Sequence, residues 1–194
     1  MSNLFQKLEI EAFRAGITPR TDQSREWFRT RAQQLRRVNR DQLLKSEELI
    51  QTSRSVIGNM YMFFYDPKTK ETLPFYDQFP LIFVVGDAKG GFTGLNLHYL
   101  PPVLRAKLLD ALLDLKTNNK YNESTRLKLS YELLANSSKF KEFKPCFKRY
   151  LTTHVKSRLA MVPAAEWEIA TFLPTAQWKK ASANQVYRQS RKVI

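Results

Sequence analysis

The chain has 194 residues, one cysteine, and 32 Lys and Arg against 18 Asp and Glu, for a net charge of +14. A single cysteine excludes an intramolecular disulfide framework, and no run approaches the ~18–20 apolar residues a membrane-spanning helix needs. A balance this basic attracts polyanions: nucleic acid, acidic protein surfaces or anionic membranes.

The charge is spread over the chain. Residues 1–55 hold 11 basic and 7 acidic side chains, and residues 175–194 hold 5 basic and none acidic. Three parts follow from this and from the apolar pattern: a basic helical N-terminal arm (1–55), an α+β core (56–174) and a basic C-terminal tail or helix (175–194).

Residues 2–15 predict a helix with Ser2 as N-cap and Leu4, Phe5, Leu8, Ile10 and Phe13 as its apolar set, ended by Gly16 and Pro19. Residues 21–50 predict a second helix, capped by Asp22 or Ser24. It carries a dense basic set: Arg25, Arg29, Arg31, Arg36, Arg37 and Arg40. Arginine keeps its charge and grips phosphate in two places at once, so this set fits a nucleic-acid backbone; it equally fits a solvated face. Residues 45–55 read as a polar connection.

The chain is organised around residues 58–114, which contain five of the six glycines and five of the nine prolines. Three apolar runs, Met60–Tyr65, Leu81–Val85 and Phe92–Tyr99, are separated by turn chemistry at 66–70 and 86–91. Val56-Ile57 extends the first run. Both faces of Met60–Tyr65 are apolar, which calls for cover on both sides. Pro101-Pro102 then opens a helix through residue 115, because proline suits a first helical turn.

Asn122 or Ser124 caps the next helix, through residue 138. Pro145 starts a short helix through Phe147, Tyr150 and Leu151. Residues 157–162 suit a strand, and Pro163 starts a helix through Trp167 and Ile169. A terminal helix covers 182–192 with Ser182 as cap. The fold class is α+β: a small antiparallel sheet or partial barrel packed with several helices, with helical extensions at both ends.

No acid/base pair, zinc spacing, P-loop or dinucleotide fingerprint is present, so no catalytic residue, metal or cofactor is assigned. His98 reads as a hydrogen-bonded structural residue. Cys146, in Lys-Pro-Cys-Phe-Lys, is either a thiol with a lowered pKa beside cations or a small buried filler. The glycines at 86–94 serve turns. Between 139 and 158, Lys139, Lys141, Lys144, Lys148, Arg149, Lys156 and Arg158 interleave with Phe140, Phe143, Phe147 and Tyr150. Either the aromatics stack on bases at a DNA end while the cations hold phosphates, or the aromatics enter the core and the cations stay outside; the second is the commoner arrangement.

Four strings carry a resemblance: Met60–Tyr65 with DPKTKETLPFYDQFPLIF, GGFTGLNLHYLPPVLRAKLLDAL, FKPCFKRYL and EWEIATFLP. Over about residues 56–180 the chain resembles the DNA end protector (DNA terminus-binding) family of T-even-like contractile-tailed phages. That resemblance implies a non-enzymatic virion protein, assembled in the bacterial cytoplasm. It would bind and shield the ends of packaged linear double-stranded DNA and help head and tail join, with no membrane partner. The alternative is a structural component of the tail, baseplate hub or neck that bridges other phage structural proteins. The DNA-contacting candidates are Arg25, Arg29, Arg36, Arg37, Arg40, Lys148, Arg149, Lys179, Lys180, Arg188 and Arg191.

Overall fold

The computed structural model describes residues 4–35, 37–117 and 119–192. In chain order the strands are β1 (Ile50–Thr52), β2 (Met60–Met62), β3 (Tyr76–Asp77), β4 (Leu81–Ala88), β5 (Gly91–Asn96), β6 (Phe147–Leu151), β7 (Leu159–Val162) and β8 (Trp178–Lys179). The α-helices are α1 (Leu4–Arg14), α2 (Asp22–Gln34), α3 (Arg40–Leu44), α4 (Pro102–Thr117), α5 (Glu123–Ser137), α6 (Trp167–Phe172) and α7 (Ala183–Lys192). Six strands form one open antiparallel sheet in the order β1-β7-β2-β4-β5-β6, while β3 and β8 pair separately. The fold is α+β, as the sequence predicts.

Strand alternation divides the apolar residues between two faces. Met60, Met62, Leu81, Phe83, Val85, Leu95, Ala160 and Val162 enter the main core. There they meet Phe5, Leu8 and Ala12 of α1, Phe28 and Ala32 of α2, Leu108, Leu109, Leu112 and Leu113 of α4, Leu134 of α5, Trp167 and Ile169 of α6, and Val186 of α7. Tyr61, Phe63, Tyr65, Ile82, Val84, Phe92, Tyr150 and Leu159 form a second cluster on the opposite face. Met60–Phe63 is therefore covered on both sides. The second cluster is built from strand and loop residues, and the described helices pack on the other face.

Glycines let β6 lie close against β5. A Cβ at Gly91 would sit 1.8 Å from the carbonyl oxygen of Tyr150, and one at Gly94 would meet Ile82 and Tyr150 side chains at 2.5 and 3.2 Å. Only Gly90, at φ 75°, serves the β4–β5 turn through its backbone angle.

Several local expectations are corrected. Thr21, not Asp22 or Ser24, caps α2: its hydroxyl accepts from Ser24 N while Ser24 Oγ accepts from Thr21 N, a capping box. The expected Ser2 cap of α1 lies outside the described residues. The polar stretch 45–55 contains β1, an edge strand held by β7. Val56 and Ile57 are exposed and outside the strands. The apolar run Phe92–Tyr99 leaves the sheet at Asn96, whose side chain caps a 3-10 turn by accepting from His98 N at 2.9 Å. Pro145 sits inside a 3-10 stretch rather than starting a helix, and Phe147–Leu151 is β6. Pairing with β5 outweighs local helical spacing there.

Candidate nucleic-acid interface

Two clefts open beside the second cluster. The first, about 480 Å³, lies along β6 and the loop from Tyr65 to Asp77. Its aromatic lining includes Phe75, Tyr76 and Tyr99, and its cations are Lys68, Lys148 and Arg149. The volume falls within the roughly 300–1,000 Å³ of small-ligand sites. Phe75 and Tyr76 are half-buried and so present ring surface to solvent. Phe75 is backed by Tyr99 and Trp178, with centroids at 6.1 and 6.3 Å, which fixes its ring.

Lys148 Nζ stands 4.3 Å from the Tyr99 ring centroid, a cation–π contact. Burial holds its pKa below the ordinary value. Lys68 and Arg149 are exposed, and Arg149 donates to the carbonyl of Lys89.

The floor of this cleft is a buried polar network. Asp77 Oδ1 accepts from Phe79 N and Gln177 N, each at 3.0 Å. Asp77 Oδ2 accepts from Asn96 Nδ2 at 3.2 Å and lies 2.6 Å from His98 Nδ1. Asn96 Nδ2 also donates to the Tyr150 hydroxyl, and His98 Nε2 lies 3.1 Å from Thr175 Oγ1. An aspartate only accepts, so the His98 proton belongs on Nδ1 and Nε2 accepts from Thr175. Burial drives the His98 pKa below its ordinary value, against the pull of Asp77. Burial also works to raise Asp77, but His98 and the two backbone N–H groups outweigh it and hold the carboxyl below the usual range.

Asp77, His98 and Thr175 follow the acid–imidazole–hydroxyl order of nucleophilic catalysis. However, His98 and Thr175 are both 0% exposed, so a substrate cannot reach the hydroxyl without opening the core. The network instead fastens β3, the 3-10 turn after β5 and the segment before β8 to one another. His98 is thus a hydrogen-bonded structural residue. Arg105 extends the fastening: it is buried and donates to the carbonyls of Leu100 and His98 and to the Tyr187 hydroxyl of α7. Cys146 is buried filler, its thiol pushed up to about 12 chiefly by burial, against the lowering by Lys148 and Arg105.

The sequence-predicted cations are not gathered in one place. Lys148 and Arg149 line the first cleft. Arg25 pairs with Asp22 and Asp110, and Arg29 with Glu26 at 2.7 Å. Arg40 donates to the carbonyls of Thr175 and Ala176 at 2.7 and 2.9 Å, beside the buried network. Lys180 Nζ donates to the carbonyls of Lys70, Glu71 and Leu73, closing the loop that edges the cleft. Arg37, Lys179 and Arg188 are exposed outside the cleft lining. Arg36 lies outside the described residues, and of Arg191 only the backbone, within α7, is described. Among the aromatics expected between 139 and 158, Phe143 and Phe147 pack on the main core and Tyr150 enters the second cluster, while Phe140 is 62% exposed.

Phe75, Tyr76, Asp77 and Asn96 were not singled out as site residues by sequence. The signal for them was the paired aromatics around an acid in Phe75-Tyr76-Asp77, within a stretch punctuated by Pro74 and Pro80.

The profile of one protein family, described as phage T4 terminal DNA protecting protein, matches residues 5–193. The chain belongs to this family. The match extends well beyond the stretch 56–180 that carries the resemblance and takes in α1, α2 and α3. No curated protein and no solved structure matches the chain. Among the described residues no group of three or more His, Cys, Asp or Glu could hold a metal ion, and no described helix is long and apolar enough to cross a membrane.

Proposed function

We propose that this protein is a non-enzymatic virion component that binds the ends of packaged linear DNA, shields them, and aids head–tail completion. The family match supports the DNA end as target. The observation that carries the proposal is the first cleft, where half-exposed Phe75 and Tyr76 stand beside Lys68, Lys148 and Arg149.

This combination distinguishes an end from an interior. Along a duplex the phosphates are available but the base faces are closed by their neighbours; only the terminal pair offers an open π-face. Stacking a base on an aromatic side chain contributes about 1–3 kcal/mol. Unstacking one DNA step costs about 0.6–2.2 kcal/mol. A terminal base can therefore move onto Phe75 or Tyr76 at little net cost, whereas an interior base must break two steps. The cations add a sequence-blind phosphate grip that weakens with salt.

The non-enzymatic reading rests on the burial of the Asp77–His98–Thr175 series. For head–tail completion the relevant surface is apolar: Phe13 and Phe140, 83% and 62% exposed, lie outside the cleft lining and offer contacts to a neighbouring subunit. The same two residues favour a second reading, a structural component of the tail, hub or neck.

The test is competition binding of one sequence as linear and as nicked circular duplex, over a salt series, with wild type, Tyr76→Ala and Arg149→Ala. End binding predicts that linear DNA wins, that Tyr76→Ala loses the preference, and that Arg149→Ala reduces the log–log salt slope by about 0.9. Equal affinity for both topologies in the wild type overturns end recognition; no binding at all favours the structural reading.

A further inference from the structure

The second cleft, about 470 Å³, lies between the exit of β1 and the entrance of β7. Its lining contains two arginines, Arg54 and Arg158, the hydroxyls of Ser53, Ser55, Thr152 and Ser157, and no carboxylate. Both arginines are exposed, and neither is ion-paired with a described carboxylate.

They meet at the open end of the β1–β7 ladder. Thr52 pairs with Leu159 in an antiparallel ladder. Arg54 lies two residues past that pair on one side and Arg158 one residue before it on the other, outside β1 and β7, so both leave the ladder at its open end and line the same cleft. Two like charges sharing one cleft oppose one another. In a cleft without a compensating acid, an anion removes that repulsion and collects charge-assisted hydrogen bonds from two guanidinium forks. The surrounding backbone is held in place: Thr52 Oγ1 accepts from Arg54 N at 3.2 Å, and Ser157 Oγ accepts from Phe64 N at 2.9 Å. Phe92 and Leu159, from the second cluster, supply an apolar wall.

We infer that this cleft is a phosphate site, and that its ligand is the terminal phosphomonoester of a DNA strand. Two guanidinium groups match a group bearing about −1.5 to −2 charge better than an internal phosphodiester, which bears one. The apolar wall fits the adjoining sugar. The existence of an anion site stands on the cleft alone; its assignment to a strand terminus rests on the end-binding reading above.

The experiment has two arms. In the first, inorganic phosphate is titrated into wild type, Arg54→Ala/Arg158→Ala and Arg54→Lys/Arg158→Lys, followed by amide chemical shifts. Saturable shifts centred on residues 52–55 and 157–159 are expected in the wild type, absent from the alanine pair and weakened in the lysine pair, which keeps charge but loses the fork. Absence of these shifts in the wild type overturns the site. Both arginines are exposed, so the variants should stay folded, and circular dichroism checks this.

In the second arm, blunt duplexes of one sequence carrying 5′-phosphate, 3′-phosphate or only hydroxyl ends compete for the protein. One of the two phosphorylated ends should bind at least about tenfold tighter than the hydroxyl end, and the alanine pair should erase that difference. If all three duplexes bind equally, or if the alanine pair weakens all three by the same factor, the terminal assignment is overturned. A preference for linear DNA over covalently closed circular DNA that is as strong with hydroxyl ends as with phosphorylated ones leaves end binding intact while removing this inference.

Discussion

Replacing Asp77 by alanine should destabilise the protein severely. The carboxylate accepts from four donors: Phe79 N, Gln177 N, Asn96 Nδ2 and His98 Nδ1. Asn96 keeps the Tyr150 hydroxyl, so three buried donors lose their partner. Each orphaned group costs about 1–3 kcal/mol. Three such groups, partly relieved as the site relaxes, cost about 3–5 kcal/mol together. At about 2–4 °C per kcal/mol for a chain of this size, Asp77→Ala should lower Tm by about 6–20 °C.

Asp77→Asn should cost less, about 1–3 kcal/mol. Its amide oxygen can still accept from the backbone, and His98 can switch tautomer to accept from the new amide and donate to Thr175. Its amide nitrogen, however, now opposes the donor of Asn96. Thermal and urea unfolding at neutral pH, followed by circular dichroism, provide the comparison. An Asp77→Ala shift below about 2 °C, or an asparagine variant as damaging as the alanine one, would refute the network as the fastening of this region.

Three further outcomes follow from the same structure. Glu166, buried and close to Glu9 and Glu48, has its pKa raised to about 7, chiefly by burial. A raised carboxyl stabilises the fold below its unfolded value of 4.5 and loses that contribution as pH rises through about 7. Glu166→Gln should therefore raise the urea midpoint at pH 8 and leave it nearly unchanged at pH 4. His98 has the opposite sense: held below 6.5, its contribution is complete above that value and fades as pH falls. His98→Gln should flatten the acid side of the stability profile in the same urea series. Gly91→Ala brings a Cβ against the backbone of Tyr150, where no side chain can move aside, and should cost at least the 1–3 kcal/mol usual for overpacking, read from the same melts.

The fold was legible where one apolar run meets one period. Met60–Met62, Leu81–Val85 and the leucines of α4 announce themselves, and Pro101-Pro102 and Asn122 mark helix starts that the structure retains. Phe147–Leu151 was not legible as a strand, because its spacing also suits a helix; its partner across the ladder is a glycine-bearing strand more than fifty residues earlier. β3 and β8, two residues each, carry no periodic signal, and pair because Asp77 binds Gln177 N between them.

The candidate site was legible only in part. Lys148 and Arg149 stood out in an interleaved segment, but Phe75 and Tyr76 reach them from another loop. The arginine-rich face of α2 looked like a phosphate grip from composition, yet Arg25 and Arg29 hold Asp22 and Glu26 one turn back on the same helix, pairs that helical spacing allows, and Arg25 also holds Asp110 of α4, which sequence alone does not place opposite it.

The central claim, that the aromatic-cationic cleft receives a base at a DNA end, is most directly tested with 2-aminopurine in a short duplex. The fluorescent base is placed in the terminal pair of one duplex and at the centre of another, and emission is followed on adding wild type or Tyr76→Ala protein. The account predicts a saturable change for the terminal probe alone, lost or much reduced in Tyr76→Ala. An equal response from both positions, or a terminal response that Tyr76→Ala leaves untouched, would contradict it.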